Sequence, residues 1–247
     1  MNKTLRKYLY QWASLLHGHS EAVPDTTTEI DVVIPVIEKD LDILPLCLEG
    51  VKHCVPHPIR ETYIVAPSSD RIEAFCQEHG TTFVEESSVL GYGPRSIDYS
   101  VNGTNRAGWI FQQLLKLSGR IGTAPYFLVI DADHILVRRH TFLDNCGRTV
   151  FYMSKEFHPP YYRSIESLLG MPYGETLSYV DHKMLFFRAS GCTLCSSIWN
   201  SASTCRGTKP FYSIWMPMKY RVSRNTKPTA PIFLPAASTS CPGATRT

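Results

Sequence analysis

From Ile30 onward the chain alternates unbroken apolar runs, rich in β-branched residues, with stretches of helical periodicity. This alternation restricts the fold more than any other feature of the sequence. IDVVIPVI (30–37) has the continuous apolar character of a strand covered on both faces, as parallel strands are. A helical stretch follows, with Leu41, Leu44, Leu48 and Val51 on one side. ETYIVAP (61–67) reads as a strand, SSDRIEAFCQEHG as a helix opened by Ser69 or Asp70 and closed by Gly80, and TTFVEES as a further strand. Residues 89–105 lack periodicity and read as a long loop, of the kind that often carries function above a parallel sheet. AGWIFQQLLKLSG (107–119) returns to helix, and APYFLVIDADHILVRR (124–139) is a strand whose apolar run stops at Asp131. TVFYMS (149–154) and LSYVDHKMLFFR (177–188) are strand-like in composition. Repeated βα passes imply an α/β fold: a mainly parallel sheet flanked by helices.

Composition adds a division. The 247 residues, 43% hydrophobic and 19% charged, suffice for one core of ordinary size and exclude a wholly disordered chain, a collagen or a small disulfide scaffold. All 22 acidic residues lie at or before Asp181, whereas the stretch from Gly191 onward has seven Lys or Arg and no Asp or Glu. Cysteine divides likewise: Cys47, Cys54, Cys76 and Cys146 read as buried core thiols, while Cys192, Cys195, Cys205 and Cys241 crowd into the tail. Three parts follow: an N-terminal helix and linker (1–29), an α/β domain (30–190) and a Ser/Thr/Pro/Cys-rich tail (191–247). The tail is expected to be poorly ordered and to derive from a reading-frame shift near Ala189 to Cys195; a genuine basic tail for an anionic membrane or polymer is the competing account. Residues 3–17 suit an amphipathic helix with a basic edge, either packed on the domain or docked peripherally on a membrane. With no secretory signal and no apolar stretch of spanning length, the expected compartment is the cytoplasm.

Asp131 and Asp133 follow the apolar run of a parallel strand, where open α/β sheets bind their ligands. Spaced two apart, they face the same way as long as the strand stays extended, and two like charges so close favour a cation beside them. Hard oxygen donors select magnesium or manganese, ions that keep positions open for substrate phosphates. Three accounts compete. Asp131 is an ion-pair member or strand-end cap, with Asp133 starting a turn. Or the first Asp is a phosphohydrolase nucleophile, against which stand Ile135, where Thr or Val is wanted, and a tail without the second acidic pair. Or the pair holds a metal on a nucleotide sugar.

IDVVIPV, NRAGWIFQQLLKLS, YFLVIDADHILVRRHTFLD, KEFHPPYY and SYVDHKMLFFR, in that order, resemble glycosyltransferases of the GT-A fold, and most of all a largely uncharacterised bacterial GT-A-like family of Asp-x-Asp type. The similarity spans about residues 30–190. It implies a nucleotide-sugar donor, Mn2+ or Mg2+ on its diphosphate at Asp131 and Asp133, and transfer to the hydroxyl of a saccharide or lipid-linked acceptor, with surface polysaccharide synthesis as the setting. A catalytically impaired remnant that binds the donor without transfer is the alternative.

Other residues are candidates by type and place. Pro35 ends the first strand where such a fold holds the nucleotide base. Arg95, Asn105 and Arg106 flank the long loop and suit phosphate or ribose, or simply solvent. Gln112 and Lys116 lie four apart on one helix face, so Lys116 either approaches the donor or faces solvent. His182 suits a third metal ligand or a group that orients the diphosphate, or is structural, and Asp181 or Glu156 suits a base that takes the acceptor proton. Tyr161 and Tyr162, beside His158, are either a sugar-stacking wall or core. No Gly-x-Gly-x-x-Gly follows the first strand, which argues against a dinucleotide oxidoreductase. Cys192-x-x-Cys195 lacks a partner pair for zinc, and the basic tail contains no nucleic-acid-binding module.

Overall fold

The computed structural model describes residues 5, 8, 9, 12, 23–101, 103–152 and 184–188. Its centre is a five-stranded sheet built from the apolar runs: β1 (Ile30–Pro35), β2 (Ile59–Ala66), β3 (Thr82–Glu85), β6 (Tyr126–Ile130) and β7 (Met184–Arg188), in the order β3-β2-β1-β6-β7. β1 is parallel to both β2 and β6, and β2 to β3, whereas β7 runs antiparallel beside β6 with Ile130 opposite Met184. A two-stranded ribbon, β4 (Ser100–Val101) and β5 (Thr104–Asn105), lies within the stretch read as a loop. The expected class, a mainly parallel sheet flanked by helices, is the one found.

Among the described residues four α-helices lie between these strands: α1 (Leu44–Cys54), α2 (Asp70–His79), α3 (Glu86–Leu90) and α4 (Ala107–Leu117). The limits of α2 show how directly the residues set them. The Ser69 hydroxyl accepts the Ile72 N–H at the start, and Gly80 closes the helix in the left-handed region, φ 63°, which a Cβ would strain. TTFVEES splits into β3 and α3, because the Glu85 carboxylate accepts the N–H groups of Ser87 and Ser88 and caps a helix there.

Apolar side chains from the two faces of the sheet form two cores. Ile30, Val32 and Ile34 pack with α1, α2, Phe142 and Phe186; Val33, Val65, Phe127 and Val129 pack with Ile110, Phe111, Leu114 and Leu115 of α4. Fully burying one such side chain stabilises by about 1.5–3 kcal/mol. The thiols divide: Cys47 and Cys76 are buried, Cys54 is half-buried and Cys146 is exposed, so the expectation of four core thiols fails at Cys146. TVFYMS forms no strand over its described residues, with only an isolated bridge between Leu143 and Thr149. Leu5, Tyr8, Leu9 and Trp12 are helical and exposed. No helix among the described residues is long and apolar enough to cross a membrane.

Candidate functional site

Because β1, β2, β3 and β6 are parallel, their carboxyl ends share one edge, and the first residue after β6 is Asp131. The strand stops at Ile130 rather than continuing through the Asp pair. The chain turns there: the Asp131 carbonyl accepts the His134 N–H at 2.9 Å and the Cys47 thiol at 3.7 Å. Strand alternation therefore does not aim the two carboxylates, which was the premise for placing them on one side.

The residues after the turn are fastened along α1. A Cβ at Gly50 would come within 2.8 Å of Leu136 N and 2.9 Å of Leu136 O, so only glycine lets the helix approach this closely. The Cys54 thiol donates to the Leu136 carbonyl at 3.3 Å, and the His140 N–H to the Cys54 carbonyl at 2.8 Å. Burial, then the charges of Asp131 and Asp133, push the Cys47 thiol up to about 12. Cys47 is thus a neutral S–H donor and no nucleophile.

The cation beside Asp131 is Lys116. Its Nζ donates to Asp131 Oδ1, with the lysine side chain 5% exposed and the aspartate side chain 24%. Lys116 sits in the last turn of α4, whose other buried positions are apolar, so the ammonium is drawn under the sheet edge by its helix and meets one carboxylate there. Of the two expectations for this lysine, exposure to solvent does not hold, since its side chain is 5% exposed; the other, approach to a donor, is a matter for the proposed function. The ion-pair account of Asp131 holds as well, since like-charge repulsion is already relieved by a residue of the chain. Among the described residues Asp131 Oδ2 and both Asp133 oxygens accept no hydrogen bond, and Asp133 is exposed.

None of the other candidates hydrogen-bonds to this pair among the described residues. Arg95 is exposed in a short helical turn, Pro94–Ser96. Arg106 precedes α4 half-buried, its guanidinium 5.5 Å from the Trp109 ring centre. Asn105 is engaged in the chain itself, its Oδ1 accepting the Ala107 N–H at 2.8 Å. Gln112 is half-buried, and Pro35 ends β1 at the shared edge. Glu156, His158, Tyr161, Tyr162, Asp181 and His182 lie outside the described residues, as do the tail and its cysteines. Among the described residues no three His, Cys, Asp or Glu side chains group closely enough to hold a metal.

Among the buried polar residues that the sequence reading did not single out are Asp31 and His57. Asp31, inside the first apolar run, accepts Arg60 Nε at 3.0 Å and Nη2 at 2.7 Å, and the N–H groups of Thr123 and Ala124 at 2.8 and 2.9 Å. A charge within a strand covered on both faces needs such partners, and that was the available signal. His57 donates from Nδ1 to the Asp25 carbonyl at 2.6 Å and accepts the Phe142 and Leu143 N–H groups at Nε2, 2.9 and 3.2 Å, which defines its neutral tautomer. Nothing in the sequence marks it.

The model of DUF6492, a family of unknown function, matches residues 27–180. No curated protein matches the sequence. Among solved structures, glucosyl-3-phosphoglycerate synthase from Mycobacterium tuberculosis with bound UDP is 17% identical over 45% of this chain and 36% of that one, at a TM-score of 0.31. The chain thus spans about a third of that synthase's length. The mannosyltransferase PcManGT from Pyrobaculum calidifontis, with GDP-Man and Mn2+, is 18% identical over 56% and 38%, at 0.33. The galactosyltransferase LgtC, with donor and acceptor sugar analogs, is 14% identical over 71% and 63%, at 0.44.

Proposed function

The chain belongs to DUF6492, a family of unknown function, and from the site itself we propose that it is a metal-dependent glycosyltransferase, moving a sugar from a nucleotide-sugar donor to an acceptor hydroxyl. The carrying observation is the strand-end pair: Asp131 closing β6 at the ligand-binding edge, a buried Lys116 ammonium on one of its oxygens, and Asp133 exposed two residues later. The ordered motifs that resemble GT-A transferases support the same reading.

Asp131 Oδ2 and Asp133 are hard oxygen donors without a partner among the described residues, which is the chemistry that Mn2+ or Mg2+ takes. With His182 as a third ligand they would hold the ion, which when bound stabilises charge on the leaving diphosphate. Lys116 fixes the Asp131 carboxylate, while Arg95 and Arg106 bind the phosphates or ribose. Asp181 or Glu156 takes the acceptor proton. The acceptor is a saccharide or lipid-linked saccharide. The setting is the cytoplasm, with exposed Leu5, Leu9 and Trp12 of the N-terminal helix making peripheral membrane contact.

A second reading, donor binding without transfer, is favoured by one observation: half of the Asp131 carboxylate is already spent on Lys116. Incubation of the full chain with nucleotide sugars and Mn2+, following release of the nucleotide diphosphate, separates the two. Release that disappears in Asp133→Asn supports the transferase. Binding without release supports the second reading, and neither binding nor release overturns both.

A further inference from the structure

The most exposed large apolar side chain among the described residues is Val137, at 86%, and Arg138 and Arg139 beside it are exposed as well. These three residues form a tip that is anchored at both ends. On one side the buried Leu136 rests on α1, its carbonyl accepting the Cys54 thiol at 3.3 Å and its backbone seated against Gly50. On the other the buried His140 donates its N–H to the Cys54 carbonyl at 2.8 Å, and its Nδ1 donates to the Arg138 carbonyl at 2.7 Å, closing the bend at Arg138. Val137 is thus held out into solvent by an anchored backbone. Among the described residues neither guanidinium makes a hydrogen bond or an ion pair. An apolar side chain beside two unpaired arginines is the combination that a negatively charged lipid surface takes up.

We propose that this tip docks on an anionic lipid surface, with Val137 entering the headgroup layer and Arg138 and Arg139 pairing with lipid phosphates. The inference rests on the membrane contact proposed for the N-terminal helix and adds a second point of attachment. That helix points to the same partner independently. Leu5, Tyr8, Leu9 and Trp12 recur at helical spacing and all four are exposed, so this apolar face is not spent on the domain. The first twenty residues contain Lys3, Arg6 and Lys7 and no Asp or Glu. Basic charge at both places opposes their use between two copies of the chain and suits an anionic surface. A single attachment of this size binds weakly, and two on one chain reinforce each other. Cys54, which anchors the tip, ends α1 just before the chain enters β2 at its amino end, whereas Asp131 lies at the carboxyl edge of the sheet. Attachment through the tip therefore leaves the carboxyl edge open to water-soluble donors.

The test is co-sedimentation of the full chain with vesicles of pure phosphatidylcholine and of phosphatidylcholine mixed with phosphatidylglycerol. Wild type should partition at least about tenfold more strongly onto the mixed vesicles, and raised salt should erase most of that preference. Val137→Ser and the double variant Arg138→Gln, Arg139→Gln should each weaken mixed-vesicle binding several-fold, up to about tenfold for the pair of arginines. All three side chains are exposed, so the denaturant midpoint should not move. Val137→Trp, a larger interfacial anchor, should tighten binding, a gain that misfolding cannot imitate. The double variant Leu9→Ser, Trp12→Ser reads the helix separately. Binding that falls in the helix variant and is unchanged in every tip variant overturns the inference alone. A loss confined to the arginine variant, with both Val137 variants like wild type, marks a general polyanion contact and overturns the lipid assignment. Absence of wild-type binding to the mixed vesicles overturns the inference together with the membrane contact of the helix.

Discussion

Two carboxylates, Asp31 in β1 and Asp131 after β6, lie at opposite ends of neighbouring parallel strands, and their surroundings differ in one respect that decides their use. Asp31 is 1% exposed and accepts four hydrogen bonds, two from Arg60 and two from backbone N–H groups. Even the space against it is closed, since a Cβ at Gly122, φ 81°, would collide with its carboxylate. Among the described residues Asp131 has one side-chain partner and an oxygen to spare. A carboxylate whose lone pairs are all occupied holds the chain together, and one left incompletely paired at a ligand-binding edge is available for chemistry.

The sharpest way to break this comparison is Asp31→Ala. It orphans the Thr123 and Ala124 N–H groups, each worth about 1–3 kcal/mol when buried without a partner, and takes from Arg60 its carboxylate, leaving it the Thr123 hydroxyl. The expected result is the largest loss of stability of any change considered, read as a denaturant midpoint. Next comes Asp131→Ala, which strands the buried Lys116 ammonium and should cost about 3 kcal/mol along with Mn2+-pyrophosphate binding. Asp133→Ala should lose that binding at a stability cost within about 0.5 kcal/mol, because its side chain is exposed. Equal stabilities for the two variants would refute the division between them.

Gly50→Ala is expected to cost about 2 kcal/mol by forcing α1 off the Leu136 backbone, and to weaken binding by shifting the segment that follows Asp131. Unchanged binding would show that α1 does not position the site. The smallest effect is one of pH. Burial lowers the His57 pKa below its ordinary 6.5, so the unfolded chain takes up a proton that the folded one refuses. Its contribution is complete above that pH and is lost as the pH falls below it; the pH dependence of the midpoint should be shallower in His57→Gln.

What was legible in the sequence follows a physical boundary. Ser69, Gly80 and the apolar strand runs act through local backbone chemistry and periodicity, so the elements they set were readable, as was the end of the strand before Asp131. Lys116 was readable as a candidate but not as a buried one, because the side of α4 it occupies depends on the sheet edge it meets. Asp31 was lost inside an apolar run, although its charge within a covered strand was a signal. The antiparallel direction of β7 and the seat of His57 rest on contacts between residues far apart in the chain, which no local pattern encodes.

The reversal at β7 carries a consequence for how such a chain can vary. Ile130 and Met184 are bonded neighbours at the ligand edge, so the 53 residues between them leave and re-enter the sheet at one place. Doubling the length of a flexible loop whose ends are already joined adds only about 0.6 kcal/mol of closure entropy. Changes in the length of this excursion should therefore cost the fold little, while the β6–β7 register that precedes Asp131 is kept.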